Sequence, residues 1–98
     1  MAHRLAPQAH SDLDEIWNYV AREASSVGIA DNLVDSIMNR ILLLASFPHL
    51  GRGRDDLRSG LRSYPAGQYV IIYRIEREDA LILRVLHGRR DIDELLGG

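Results

Sequence analysis

The chain has 98 residues, a formal net charge of −2, 46% hydrophobic residues, 27% charged residues and no cysteine. That length suits a single domain over residues 1–98, the missing cysteines exclude a disulfide framework and thiolate metal sites, and the acidic balance excludes a general nucleic-acid binder held by bulk electrostatics. No stretch approaches the ~20 apolar residues of a membrane span and no signal-peptide run opens the chain, so a cytoplasmic protein is expected.

Charge is unevenly placed. Residues 1–47 hold three arginines (Arg4, Arg22, Arg40) against six acids, residues 48–98 hold nine against eight, and no lysine occurs anywhere. Arginine stays protonated and can clamp an anion, but it does not serve as a proton-transfer base.

In chain order, His3-Arg4-Leu5 is a short strand candidate ended by Ala6-Pro7. Pro7 suits the first turn of a helix, where its missing N–H is not needed; Ser11 with Asp14 offers a capping box as an alternative start. Ala9, Leu13, Ile16, Trp17, Val20, Ala21 and Ala24 then fall on one helical stripe, with Asp12, Asp14, Glu15 and Arg22 assigned to the polar side. Ser25-Ser26-Val27-Gly28 reads as a break. A second stripe, from Ala30 through Leu33, Ile37 and Ile41 to Ala45, ends at Pro48. The connection is short, so the two helices should pack antiparallel.

Residues 48–60 form the one long irregular stretch, and loops of about a dozen residues are often functional. Its arginines, Arg52, Arg54 and Arg58, together with Arg62, are either an anion-binding patch or a solvated surface partly neutralised by Asp55 and Asp56. Leu61–Tyr64 reads as a strand and Pro65-Ala66-Gly67 as a turn. Two strands follow, over 69–75 and 81–87, joined by the charged turn Glu76-Arg77-Glu78-Asp79. Both are apolar on both faces, which marks them as central. The expected fold is α+β: strand-helix-helix-strand-strand-strand, a small antiparallel sheet with the helical hairpin on one face and the first strand closing the sheet.

Such a sheet leaves one face without helices. Period-2 alternation puts Val70, Ile72, Ile82 and Leu86, or their opposite numbers, there, predicting an exposed apolar patch of the kind that marks a binding site. The four histidines lack metal-ligand spacing, no phosphate-binding glycine loop precedes a helix, and no nucleophile elbow occurs, so neither a metal nor a cofactor is expected. What remains is Arg62, Tyr64, Tyr73, Arg74, Arg84, His87, Arg89 and Arg90 around the meander. That set either supports RNA cleavage, with His87 or a tyrosine moving protons and arginine stabilising phosphorane charge, or simply covers and closes the sheet.

The chain resembles the ParE branch of the RelE/ParE superfamily of bacterial type II toxins. The residues that carry the likeness are Ala9-x-x-Asp12-Leu13-x-x-Ile16, Phe47-Pro48-His49-Leu50-Gly51-Arg52, Gly60-Leu61-Arg62, Tyr69–Arg74 and Val85-Leu86-His87-Gly88-Arg89-Arg90-Asp91, in that order. The resemblance implies a small toxin neutralised by a cognate antitoxin, with contact to DNA only through the antitoxin. It implies inhibition of DNA gyrase, or, for a RelE-like member, cleavage of ribosome-bound mRNA; a copy that has lost toxicity is a third possibility. The absence of lysine, the acidic balance and the His87–Asp91 ending favour gyrase. On that reading Arg52, Arg54, Arg62, His87, Arg89 and Arg90 contact the target, while Leu13, Trp17, Val70, Ile72, Ile82 and Leu86 contact the antitoxin. A ribonuclease would instead rely on Arg62, Tyr73, Arg74 and His87.

Overall fold

Helix α1 (Pro7–Glu23) begins where the chain first presents a proline. In the computed structural model, which describes residues 3–89 and 91, Ala6 is the N-cap without a side-chain cap bond, so the start lies at Pro7 and not at the Ser11–Asp14 box. Ser25 takes a left-handed backbone (φ 51°), and Ser26 caps α2 (Val27–Ser46) by accepting from the Ile29 amide at 3.2 Å. The break is thus two residues shorter than its composition suggests, with Val27 and Gly28 inside the second helix. Serine competes well for such a cap because its hydroxyl replaces a missing intrahelical acceptor.

Among the described residues five strands form one sheet: β1 (His3–Leu5), β2 (Arg52–Gly53), β3 (Arg62–Ala66), β4 (Tyr69–Glu76) and β5 (Asp79–His87), in the order β1-β5-β4-β3-β2. The expected meander is β3-β4-β5. The sheet is mixed, however: β1 closes it by running parallel to β5, with His3 opposite Ala80 and the Ala6 amide bonding the Ile82 carbonyl at 2.8 Å. Three residues carry no signal of strand direction; the immediate start of α1 decides it. The stretch read as irregular also contributes β2, antiparallel to β3.

Both helices pack on one face. Leu13, Ile16, Ile37, Ile41 and Leu44 meet Ile71, Tyr73, Ile82 and Val85 in the main core. Ile82, placed by simple alternation on the opposite face, is wholly buried here, because the β4–β5 register passes from Ile72↔Arg84 to Tyr73↔Ile82 and skips Leu83. One extra residue in a strand reverses the parity of everything beyond it.

The other face is not the exposed apolar patch that alternation predicts. Ile72 and Leu86 are 2% and 4% exposed, in a second cluster with Val70, Leu57 and Leu61. Residues 54–61 fold across the sheet and bring Leu57 and Leu61 onto it. The large apolar side chains left in solvent lie elsewhere, on the helices and just beyond: Tyr19, Val27, Ile29, Leu42, Phe47 and Leu50.

The β4–β5 turn places Arg77 (φ 53°) and Glu78 (φ 69°) in the left-handed region, the pattern of a type I′ hairpin that favours Asn-Gly. Arg77→Asn with Glu78→Gly is therefore expected to raise stability by about 1 kcal/mol, since each left-handed non-glycine residue costs roughly 1–2 kcal/mol. Urea unfolding of the two proteins measures this, and a double variant no more stable than the parent would show that the turn is not strained.

Candidate functional site

The groups that would run ribonuclease chemistry are engaged in holding the structure. Tyr73 is 0% exposed; its hydroxyl donates to the Pro48 carbonyl at 2.6 Å and accepts from the Gly51 amide at 2.9 Å. Across the ladder from Tyr73, Arg62 turns its guanidinium onto the carbonyls of His49 and Gly51. Together they staple residues 48–51 to the sheet. Gly51 is required there, because a Cβ would lie 2.5 Å from the Tyr73 hydroxyl and 2.7 Å from the Ser63 carbonyl.

Arg74 and Arg4 share Glu76, Arg4 at 2.8 Å. The Arg4 hydrogen bond, opposed by burial and joined by Arg74, holds the Glu76 carboxyl below its usual value of 4.5. A carboxyl depressed in the folded state contributes stability that is present above that value and lost as pH falls through and below it. Glu76→Gln should therefore flatten part of the acid limb of a melting-temperature profile below pH 4.5, and added salt should shrink the difference because the pair is exposed. Superimposable profiles would remove the linkage.

His87 stands at the end of β5, at a polar concavity. A cleft of about 580 Å³ opens between α1 and the ends of β4 and β5, lined among others by Asp12, Glu15, Tyr19, Tyr69, Arg84 and His87. Arg84 reaches α1, where its Nε and a terminal nitrogen meet the Asp12 carboxylate at 2.8 and 3.0 Å. Asp12, 8% exposed, also accepts the Val85 amide at 2.9 Å. The Arg84 pKa is raised, first by the Asp12 hydrogen bond, and beyond Asp12 by the nearby charges of Asp91 and Glu15. Glu15 and Asp91 line the same cleft. The Tyr69 ring meets His87 edge-on at 5.7 Å, and the His87 amide donates to the Asp91 carboxylate at 2.8 Å.

Asp12 was legible. It falls at i+3 from Ala9 and i−4 from Ile16, on the buried stripe, and its charge alone assigns it to the polar side. Glu15 and Tyr19 carry no such signal, since their role depends on what β5 brings opposite them.

The expected target contacts do not gather in this cleft, apart from His87. Arg54 is tied to Asp56 at 3.0 Å and to the Ser63 hydroxyl at 3.4 Å, Arg62 is turned inward, and Arg52 and Arg89 are exposed. Arg90 lies outside the described residues. At Gly88 φ is not positive, and a Cβ there would lie close to Val70 Cγ2, at 3.0 Å. Of the expected antitoxin contacts, Leu13 is buried between helix and sheet, while Trp17 is half-buried with its Nε1 on Asp31 at 2.8 Å. No group of three or more His, Cys, Asp or Glu is placed to hold a metal, and no helix is long and apolar enough to cross a membrane, among the described residues.

A family model described as the ParE toxin of the type II toxin-antitoxin system parDE matches residues 4–92. The chain belongs to the ParE toxin family. It is 39% identical over 89 residues to Toxin ParE3 of Caulobacter vibrioides, covering 88% of this chain and 85% of that protein. It is 33% identical over 93 residues to Toxin ParE1 of Mycobacterium tuberculosis, covering 94% of each. The fold matches a chain from the chromosomal ParDE toxin–antitoxin system of P. aeruginosa, with a TM-score of 0.77, 21% identity, and coverage of 89% and 95% of the two chains. In this ParE-family toxin the matched stretch takes in both helices and all five strands except His3, and so the stapled loop and the cleft as well.

Proposed function

We propose that this ParE-family toxin arrests growth by binding DNA gyrase, without cutting RNA, and that a cognate antitoxin neutralises it. The observation that carries the reading is the state of the candidate catalytic groups. Tyr73 and Arg62 are committed to the 48–51 loop, Arg74 to Glu76, and His87 sits beside a cleft whose Arg84 is paired with Asp12. An RNA phosphate approaching His87 would find the nearby Arg84 guanidinium already paired with Asp12, which works against its stabilising a phosphorane. The family match to a toxin of a type II system supports the antitoxin as partner. The apolar side chains that such a partner would cover are those exposed on and beyond α2, notably Phe47 at 61% and Leu50 at 47%, and not the sheet face.

The deciding experiment adds purified protein to a gyrase supercoiling reaction and to a translation extract. Supercoiling should fall, or cleavage complexes accumulate, while mRNA stays intact. Codon-phased mRNA cleavage would move the protein to the RelE-like ribonuclease reading. Arg89→Ala with Arg90→Ala is expected to keep the fold and antitoxin binding and to weaken gyrase inhibition by about thirtyfold or more, the loss that goes with a buried arginine contact of about 2 kcal/mol. Inhibition at parental potency would shift the target contact to the exposed Arg52.

A further inference from the structure

Residues 54–61 cover the second face of the sheet, yet their polar bonding is mostly with one another. The Arg54 amide donates to the Leu61 carbonyl at 2.7 Å, the Leu57 amide to the Arg54 carbonyl at 2.9 Å, and the Leu61 amide to the Arg58 carbonyl at 3.2 Å. The Gly60 amide donates to the Asp55 carboxylate at 3.2 Å, and the Arg54 guanidinium meets Asp56 through two bonds of 3.0 Å. Among the described residues, the hydrogen bond that leaves this segment for the sheet runs from Arg54 to the Ser63 hydroxyl, and at 3.4 Å it is long. What otherwise holds the segment down is apolar: Leu57 and Leu61, both half-buried, pack on Ile72 and Leu86. That small cluster is separate from the main core. The segment starts and ends at the β2–β3 pairing, so its ends stay together whether or not it lies on the sheet. At the first end stands Gly53, where an added Cβ would meet nothing within 4 Å, so no side chain pins this pivot. At the second end Arg62 is held by the carbonyls of His49 and Gly51, which keeps β3 in place.

We infer that residues 54–61 are a flap, which lifts from the sheet as one body and exposes Ile72 and Leu86 while the main core stays folded. The closed state conceals an apolar strip of the two central strands, and the open state presents it. Lifting gives up one long hydrogen bond and the contacts of two leucines, and it keeps the bonds internal to the flap. Unfolding the main core instead uncovers every residue of the larger cluster between helices and sheet. Local opening is cheapest where few apolar contacts and few bonds to the rest of the molecule are lost. The flap goes beyond the gyrase reading and does not rest on it.

The chain has no cysteine, so a single introduced thiol reports on one place without background. Ile72→Cys puts that thiol under the flap, and Ile41→Cys puts it in the main core. Each full-length variant is labelled with iodoacetamide at rising urea concentrations, and its rate is divided by that of the unfolded chain. Ile72→Cys should label at least about thirtyfold faster than Ile41→Cys. Its urea dependence should lie well below that of global unfolding, because a local opening exposes little surface. Leu57→Ala should speed labelling at Ile72→Cys about threefold or more, since it removes a half-buried side chain that holds the flap down. Ile37→Val weakens the main core; it should speed labelling at Ile41→Cys about twofold to tenfold and leave Ile72→Cys unchanged. Leu86→Cys is the second reporter under the flap should Ile72→Cys fail to fold. Equal rates at the two places, or a urea dependence equal to that of global unfolding, would overturn the flap. So would a covered thiol whose rate ignores Leu57→Ala or follows Ile37→Val. Gyrase inhibition enters none of these readouts, so either proposal can fail while the other stands.

Discussion

Tyr73→Phe is expected to destabilise the protein by about 2–4 kcal/mol, a large share of the ~5–15 kcal/mol that a domain of this size has available. The ring stays and packs as before, so no cavity term enters. What is lost is a hydroxyl that serves two backbone groups, the Pro48 carbonyl and the Gly51 amide, at positions where both residues are buried. Each polar group left without a partner away from water costs roughly 1–3 kcal/mol. At about 4–8 °C per kcal/mol for a domain of up to 100 residues, the melting temperature should fall by roughly 10 °C or more. Tyr64→Phe is the control. Tyr64 is half-buried on β3 and no hydrogen bond holds its hydroxyl among the described residues, so that change should stay within about 0.5 kcal/mol. Hydrogen exchange adds a local reading, since the Gly51 amide should lose protection in Tyr73→Phe. Equal stability of the two variants would mean that water replaces the hydroxyl and that the loop is not stapled.

The second large effect lies at Asp12. This carboxylate is nearly buried and takes three hydrogen bonds, two from Arg84 and one from the Val85 amide. Breaking a fully buried pair by removing one partner typically costs about 3–5 kcal/mol, because the other charge is left uncompensated. The Arg84 side chain is 36% exposed and can recover some hydration, so about 2–3 kcal/mol is expected for Asp12→Asn. Replacing both, with Asp12→Asn and Arg84→Met, should recover part of that loss, giving a coupling energy within the roughly 0.5–3 kcal/mol found for contacting pairs. Urea unfolding of the four proteins measures it. Additive losses would show that the two side chains only happen to be close. The pair also joins α1 to β5 at the cleft wall.

Periodicity alone specified a great deal of this fold. The stripe Ala9–Leu13–Ile16, the stripe ending at Ala45 and the alternating runs over 69–75 and 81–87 each match an observed element. Spacing of apolar residues is a local property, readable because each element must bury one face whatever its neighbours are. The likeness to the ParE family was equally legible, since Phe47–Arg52 and Val85–Asp91 keep their order along the chain and the family match extends over 4–92. The buried position of Asp12 was within reach of the same rule.

Tertiary structure alone decided the rest. The residue skipped at Leu83 sends Ile82 beneath the helices, and no pattern within β5 marks it, because a bulge is fixed by pairing with β4. The fate of the second sheet face turned on where residues 54–61 come to rest. Leu57 and Leu61, two leucines in an arginine-rich stretch, cover Ile72 and Leu86 only after the chain has folded back. Whether an arginine or a tyrosine is chemistry or scaffold is decided in the same way. Tyr73 and Arg62 have the side chains of a nuclease site, but the Tyr73 hydroxyl and a terminal nitrogen of Arg62 are turned onto the carbonyls of residues 48, 49 and 51. Residue type is written in the sequence, but hydrogen-bond partners separated by 11 to 25 residues along the chain are chosen by the packing.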